Sequence, residues 1–311
     1  MNTHARMLDR RLAEYYFWGG RTKDVREALK SFLNSDGGFG NSIEPDFRLQ
    51  QSSSMATTIG LQYAREINLP SDDPIVQAAV RYLLTAFDPD QQRWHAVPAQ
   101  INNVPHAPWW TLDVNTGRCG VEETWANPNA EIVGYLWQYR DLVPQPFLTS
   151  VTGVALAELN EMSERLDLHD FLCYQRFTEF LPEPHRATVM DKLMKSSRLT
   201  VDVSPESWKQ YGAKPLQIAP SPKSPFAELL FEHLSSNLDY EIEQMNDDGS
   251  WNPNWSWFGN YDEEWDYAEL EWKGYLTVKN LKALYDFGRI PAVLDVMLAH
   301  GIRLEQESIT D

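Results

Sequence analysis

The same turn is written twice in this chain, once near each end. Asp36-Gly37-Gly38-Phe39-Gly40 is echoed by Asp248-Gly249-Ser250-Trp251. In both places an amphipathic segment, 25–33 or 234–242, runs into a short polar stretch, then Asp-Gly, a small residue and an aromatic. A looser copy lies between them, where residues 82–87 lead to Asp88-Pro89-Asp90 and on to Arg93-Trp94. Glycine supplies positive φ just past a helix end. The aspartate accepts backbone amides within the turn. The aromatic then folds back across the hairpin. A recurring helix, glycine turn and aromatic plug predicts stacked helical hairpins.

Periodicity extends that reading along the chain. Met7, Leu8, Leu12, Tyr15 and Tyr16 share one helical face, and Met55, Ile59, Tyr63 and Ile67 share another. Helices are expected over 53–67, 74–87, 127–140, 147–166, 169–180, 183–197, 225–242, 268–287 and 290–301. Pro74 behind an aspartate, and Pro128 between asparagines, mark helix starts. Pro89 stops the helix before it. No strand ladder is evident, and 200–203 reads as a connector. Residues 91–124 and 251–266 are aromatic loops, long enough to suggest function rather than filler. The expectation is an all-α protein. The echo on both sides of the Pro-rich stretch 215–225 argues for one closed ring, a single domain over 1–311.

Composition narrows the partners. A net charge of −18 repels nucleic acid, anionic membrane surfaces and polyanions. The 12 tryptophans must be buried, line a pocket or meet an interface. No apolar run approaches membrane-spanning length, and residues 1–14 lack the apolar core of a signal peptide. Cys119 and Cys173 form neither a CxxC pair nor a disulfide framework. These features lead to the expectation of a soluble, cytoplasmic protein.

The stretch Gln244 with Asp248-Gly249-Ser250-Trp251 resembles the glutamine-tryptophan repeats of the terpenoid cyclase and protein prenyltransferase superfamily. Asp36-Gly37-Gly38-Phe39-Gly40 resembles the same turn in a Phe form, and Trp272-Lys273-Gly274, Thr277, Leu281, Leu284 and Gly288-Arg289 look like a closing repeat. Glu44-Pro45-Asp46, Pro108-Trp109-Trp110 and Asn127-Pro128 are similar to phrases in prenyltransferase-like bacterial proteins. The resemblance is weakest over 143–214. It implies an α/α toroid, in which inner helices ring a central cavity and outer helices pack around them. A fold of this kind does not by itself name a chemistry.

The family's catalytic signatures do not carry over. No Asp-x-Asp-Asp acid is present. The nearest string to an Asp-Asp-x-x-Asp magnesium motif is Asp262-Glu263-Glu264-Trp265-Asp266, which reads either as a hard-cation site or as a solvated helix start. Isolated cysteines argue against the zinc site of protein prenyltransferases. No phosphate loop, dinucleotide fingerprint or nucleophile elbow occurs, so no metal or cofactor is expected.

Polar groups among aromatics remain. Pro45 biases Glu44 out of the helical region, which places Glu44 and Asp46 on a stiff loop. Beside Arg48 they make either an acid/base pair with split pKa values or a brace for the next helix. His106 is a candidate acid or base, or a rim histidine packed in a proline loop. Trp109 and Trp110 point to different sides, so one can plug the core while the other lines a cavity. Trp255, Trp257 and Tyr261 belong to a second aromatic set that forms either a pocket wall or core. Trp272 reads as the outer plug of the last repeat. Glu44, Asp46 and His106 are therefore the candidate catalytic groups. Arg48, Trp109, Trp110, Trp255, Trp257 and Tyr261 are the candidate substrate contacts.

The resemblance favours an enzyme that cyclises or isomerises a small apolar, isoprenoid-type molecule. Two alternatives stay open. A carbohydrate-active toroid would present its carboxylates in an open cleft, about 5–9 Å apart. A non-catalytic binding protein would have every acid satisfied by arginines and helix ends.

Overall fold

The apolar periodicities become helices close to where their spacing puts them. A computed structural model describes residues 5–290. Among them are eleven α-helices: α1 (Met7–Phe17), α2 (Thr22–Lys30), α3 (Ser54–Glu66), α4 (Pro74–Ala86), α5 (Ala126–Gln138), α6 (Gln145–Glu161), α7 (Leu168–Thr178), α8 (His185–Thr200), α9 (Pro215–Ile218), α10 (Phe231–Glu243) and α11 (Asp262–Asp286). The starts have local causes. Ser53 Oγ accepts the Ala56 N–H at 3.0 Å. Asp73 accepts the Ile75 N–H at 2.9 Å behind Pro74, and Asp167 accepts the His169 N–H at 2.8 Å. The helix expected over 290–301 lies outside the described residues.

Three departures from the sequence reading are instructive. The loop over 91–124 contains a minimal hairpin, β1 (Leu112–Asp113) against β2 (Arg118–Cys119). The segment expected as helix over 225–242 begins only at Phe231. The second aromatic loop is shorter than expected, because α11 starts at Asp262 rather than at Ala268. Tyr261 adopts the left-handed region, with φ 52°, and reverses the chain. Asp262, Glu263 and Glu264 then fill the first turn, where negative charge suits the helix dipole. The acidic string is thus a helix start.

The repeated turn is one structure used three times. Asp36 Oδ1 accepts Gly38 N–H at 3.0 Å, Asp88 Oδ1 accepts Asp90 N–H at 2.9 Å, and Asp248 Oδ1 accepts Ser250 N–H at 3.1 Å. The aromatic of each copy offers its own N–H to a side chain on the next helix along: Phe39 to Thr57 Oγ1 at 3.1 Å, Trp94 to Asn129 Oδ1 at 2.6 Å, Trp251 to Thr277 Oγ1 at 3.3 Å. The two indoles also reach back to the preceding helix, Trp94 to Leu83 O at 2.6 Å and Trp251 to Glu241 O at 2.8 Å. Each plug therefore ties one helix pair together.

Helix packing follows chain order with skips. α1 packs on α2, α2 on α3, α3 on α4 and α5, and α5 on α6 and α7; α7 packs on α8, α9 on α10, and α11 returns to α1. Two glycines permit close approach. A Cβ on Gly60 of α3 would lie 2.5 Å from the Phe39 ring, and one on Gly134 of α5 would lie 2.9 Å from Phe177 Cα of α7. One continuous apolar core runs from Leu8 to Leu284. Among the described residues no helix is long and apolar enough to cross a membrane.

Candidate functional site

The loop that carries the two acids is pinned from behind by the proline loop. Asp46 O accepts Ala107 N–H at 2.8 Å, and Arg48 N–H reaches Pro105 O at 2.8 Å, so residues 46–48 run beside 105–107 as a short antiparallel bridge. Inside the turn, Glu44 Oε1 accepts the Asp46 N–H at 3.1 Å. Both side chains are sunk in protein, with only 7% of Glu44 and 5% of Asp46 exposed.

Their partners come from the far end of the sequence. Asp46 Oδ1 accepts two indole N–H groups, Trp257 Nε1 at 2.9 Å and Trp272 Nε1 at 2.8 Å. Trp255 also bears on Asp46 and favours its anion, but its buried indole N–H lacks hydrogen-bonding geometry with any described residue. Arg48, whose charge also reaches Asp46, pairs with Glu271 of α11, Nη1 to Oε2 at 2.9 Å. Its Nε and Nη2 are buried without a partner among the described residues. Arg6 is occupied by Asp9 at 2.8 Å and by Ile43 O at 2.6 Å.

Burial raises the pKa of both acids. For Glu44 desolvation dominates and the neighbouring Asp46 charge adds to it; Arg6 acts the other way. For Asp46 desolvation outweighs the indole hydrogen bonds and Arg48, which favour the anion. One oxygen of each, Glu44 Oε2 and Asp46 Oδ2, accepts no hydrogen bond from a described residue, and neither is sealed from solvent.

No known protein family and no curated protein matches this chain. The site is therefore read from its own chemistry.

The structure brings three of the sequence-nominated segments together. The acid loop, the 105–110 loop and the second aromatic loop meet at Asp46 and His106. His106 lies in the bridge opposite Phe47. Its Nδ1 donates to Val104 O at 2.7 Å, since a carbonyl can only accept, and its Nε2 faces Thr111 Oγ1 at 3.1 Å. These two contacts make His106 a brace for the loop. Tyr261 stands 5.9 Å from it, ring to ring. Trp110 packs edge-on to Phe47 at 5.1 Å and belongs to the core. Trp109 stands apart, half-buried against the core, with no polar contact to the acids. Trp257 is fully buried and Trp255 half-buried.

Several residues at the site were not nominated from sequence: Glu271 and Trp272 of α11, His169 of α7, and Tyr211. An aromatic file runs Tyr211 to Trp255 at 5.7 Å, Trp255 to Trp272 at 5.1 Å, and Trp272 to Tyr275 at 5.5 Å. His169 stacks on Tyr211, with Nε2 2.5 Å from its hydroxyl. Tyr211 lies within the field of Asp46 and Glu44, which, behind burial and Asp167, helps raise its pKa.

Tyr211 is 52% exposed, and the side chains of Arg176 of α7 and Lys279 of α11 are 25% and 40% accessible. Salt bridges join the helices here: Lys279 to Glu66 of α3 at 3.1 Å, and Arg176 to Glu131 of α5 at 2.9 Å. Two clefts of about 330 and 260 Å³ lie elsewhere, one beside His95 and Leu112, the other beside Ser197 and His233. Among the described residues no group of three His, Cys, Asp or Glu side chains is placed to hold a metal ion.

Proposed function

We propose that the chain is a single α/α toroid of the terpenoid cyclase-like kind, and that its Glu44–Asp46 site carries out acid/base chemistry on a small apolar, isoprenoid-type molecule. The ring arrangement is supported by the return of α11 to α1 and by the contacts α3–α5 and α5–α7, which skip the intervening helices. The observation that carries the chemistry is the desolvated Glu44–Asp46 pair, each acid with an oxygen free of protein donors, beside an aromatic wall.

The roles follow from the environments. Glu44, whose pKa burial and its neighbour raise, holds a proton that it can give to a substrate alkene carbon. The electron pair of the alkene takes that proton and leaves a carbocation. Indole faces and the Asp46 carboxylate, held by Trp257 and Trp272, stabilise the positive charge. Loss of a proton from a neighbouring carbon to a carboxylate completes an isomerisation or cyclisation with no co-reactant. His106, braced by its own loop, takes no step.

A second reading, a neutral-sugar hydrolase or lyase, is favoured by one observation: His169, Tyr211, Arg176 and Lys279 add polar groups to the wall. Native mass spectrometry of the purified protein, followed by denaturing extraction, separates the two. An isoprenoid-type ligand supports the first reading, and Glu44→Gln must then abolish its conversion. A sugar promotes the second. A protein that carries neither, and converts neither class of compound, leaves only a scaffold.

A further inference from the structure

We infer that the Glu44–Asp46 site takes an organic ammonium group, seated on the faces of Tyr211, Trp255 and Trp272 and against the Asp46 carboxylate and the Glu44 carboxyl group. The inference rests on the location of the site given above, and not on its turning anything over.

Charge balance is the first argument. The ionisable groups that face the pair are Glu271, Tyr211, Arg48 and Arg6. Arg6 is bound to Asp9 and Arg48 to Glu271, so the two guanidinium groups act on Glu44 and Asp46 only at a distance and neither hydrogen-bonds them. Buried carboxylates are ordinarily paired. Here the partners are indole N–H groups and one backbone N–H, which orient an anion without neutralising it. Glu44 Oε2 and Asp46 Oδ2 remain available to an incoming group.

The aromatic wall is the second argument, and it is independent of the first. Tyr211 meets Trp255 at 81°, and Trp255 meets Trp272 at 77°. Successive rings at near right angles turn their faces in different directions, so a cation beside the file meets a ring face from more than one side. Tyr275, the next ring in the file, already holds a cation: Lys279 Nζ lies 5.7 Å from its centroid. A metal ion is the poorer occupant, because hard cations require six or more oxygens and no three-ligand group exists among the described residues. The net charge of −18 raises the local concentration of any small cation.

The test uses choline and its uncharged isostere 3,3-dimethylbutan-1-ol, titrated into the full chain at about pH 8 by calorimetry, with tryptophan fluorescence as a second readout. Choline is expected to bind at least about tenfold more tightly than the isostere, a difference in kind that apolar burial alone does not supply. Glu44→Gln with Asp46→Asn removes that preference. Tyr211→Leu, at an exposed position that the core does not need, weakens choline binding and serves if the double variant does not fold. Equal affinity for the two probes, or no choline binding, overturns the inference. Choline binding without conversion of any alkene counts only against the proposed chemistry; conversion of an alkene without a choline preference counts only against this inference.

Discussion

Asp46 and Glu44 sit in the same turn but answer to different partners, and that separates their titrations experimentally. Glu44 is held protonated beyond the ordinary carboxylate range, so the folded chain binds more protons than the unfolded one. Its contribution to stability is therefore full at acid pH and is lost as pH rises past the unfolded value towards the raised one. Glu44→Gln, whose amide oxygen can still accept the Asp46 N–H, is expected to flatten that decline between about pH 5 and 8 in urea unfolding curves. Trp272→Phe takes one donor from Asp46. It should cost about 1.5–3 kcal/mol where Asp46 is ionised, and less once acid protonates the carboxyl. Equal losses at both pH values would count against an ionised Asp46. At this scale the sequence made Glu44, Asp46 and the second aromatic loop readable, because Pro45 and the density of rings are local signals. It concealed Trp272, Glu271, Tyr211 and His169. Nothing near Trp272 announces that its indole N–H travels to Asp46, and Tyr211 sits where the repeat pattern is faintest. The two partners of His106, Val104 O and Thr111 Oγ1, cannot be told from any other loop atoms in advance.

Helices and turns were more legible than the site, since an element's own residues dictate most of it. The Asp-Gly turn is recognisable from four residues, but its far anchor is not. Phe39 needs Thr57 and Trp251 needs Thr277, each on the helix after the turn. Both threonine hydroxyls in turn donate to the carbonyl four residues back, Ser53 O and Lys273 O. Thr57→Val keeps the shape and strips the acceptor from a buried amide, so it should lower stability by about 1–3 kcal/mol. Gly60→Ala pushes a methyl group into the Phe39 ring and should cost a similar amount, about 1–3 kcal/mol, through overpacking. Thermal melts of the two variants check both, and a melt unchanged in either would detach the plug from the helix it is said to lock. The start of α11 was misplaced because an acidic, aromatic string reads equally as loop and as helix. Tyr261 decides it, through a backbone conformation that its side chain does not advertise.

At the scale of the whole molecule, α11 is held to α1 by packing and to α3 by charge. Ala5, ahead of α1, lies where a Cβ on Gly274 would come within 2.7 Å of it, and Lys279 of α11 crosses to Glu66 of α3. Lys279, ahead of burial acting the other way, pulls the Glu66 pKa down to about 2. A depressed carboxylate gives stability that is present above its unfolded pKa and is lost as pH falls through the folded one. Lys279→Met should thus be less stable than the natural chain at neutral pH, with the gap closing as acid approaches about pH 2. Glu66 is partly solvated, so the gap will be modest. The all-α character of the fold was legible from periodicity. Which helices meet one another was not, because Gln62, Glu131 and Arg176 come together only after three separate helices are in place.

The distance along the chain between Asp46 and its cradle has a consequence for synthesis. Trp257 and Trp272 lie 211 and 226 residues downstream of the carboxylate they hold. While the ribosome is still making α5 or α7, the acid loop can already be tied to the proline loop, but no indole exists to receive Asp46. Contacts of such long range close late. The nascent protein must carry its two acids solvated, in an unfinished wall, until α11 emerges and swings back onto α1. Assembly of the site is then expected to follow that of the earlier helices, and a time-resolved rise in protection of the Trp272 indole should follow that of the Trp94 indole, whose acceptor, Leu83 O, lies 11 residues upstream.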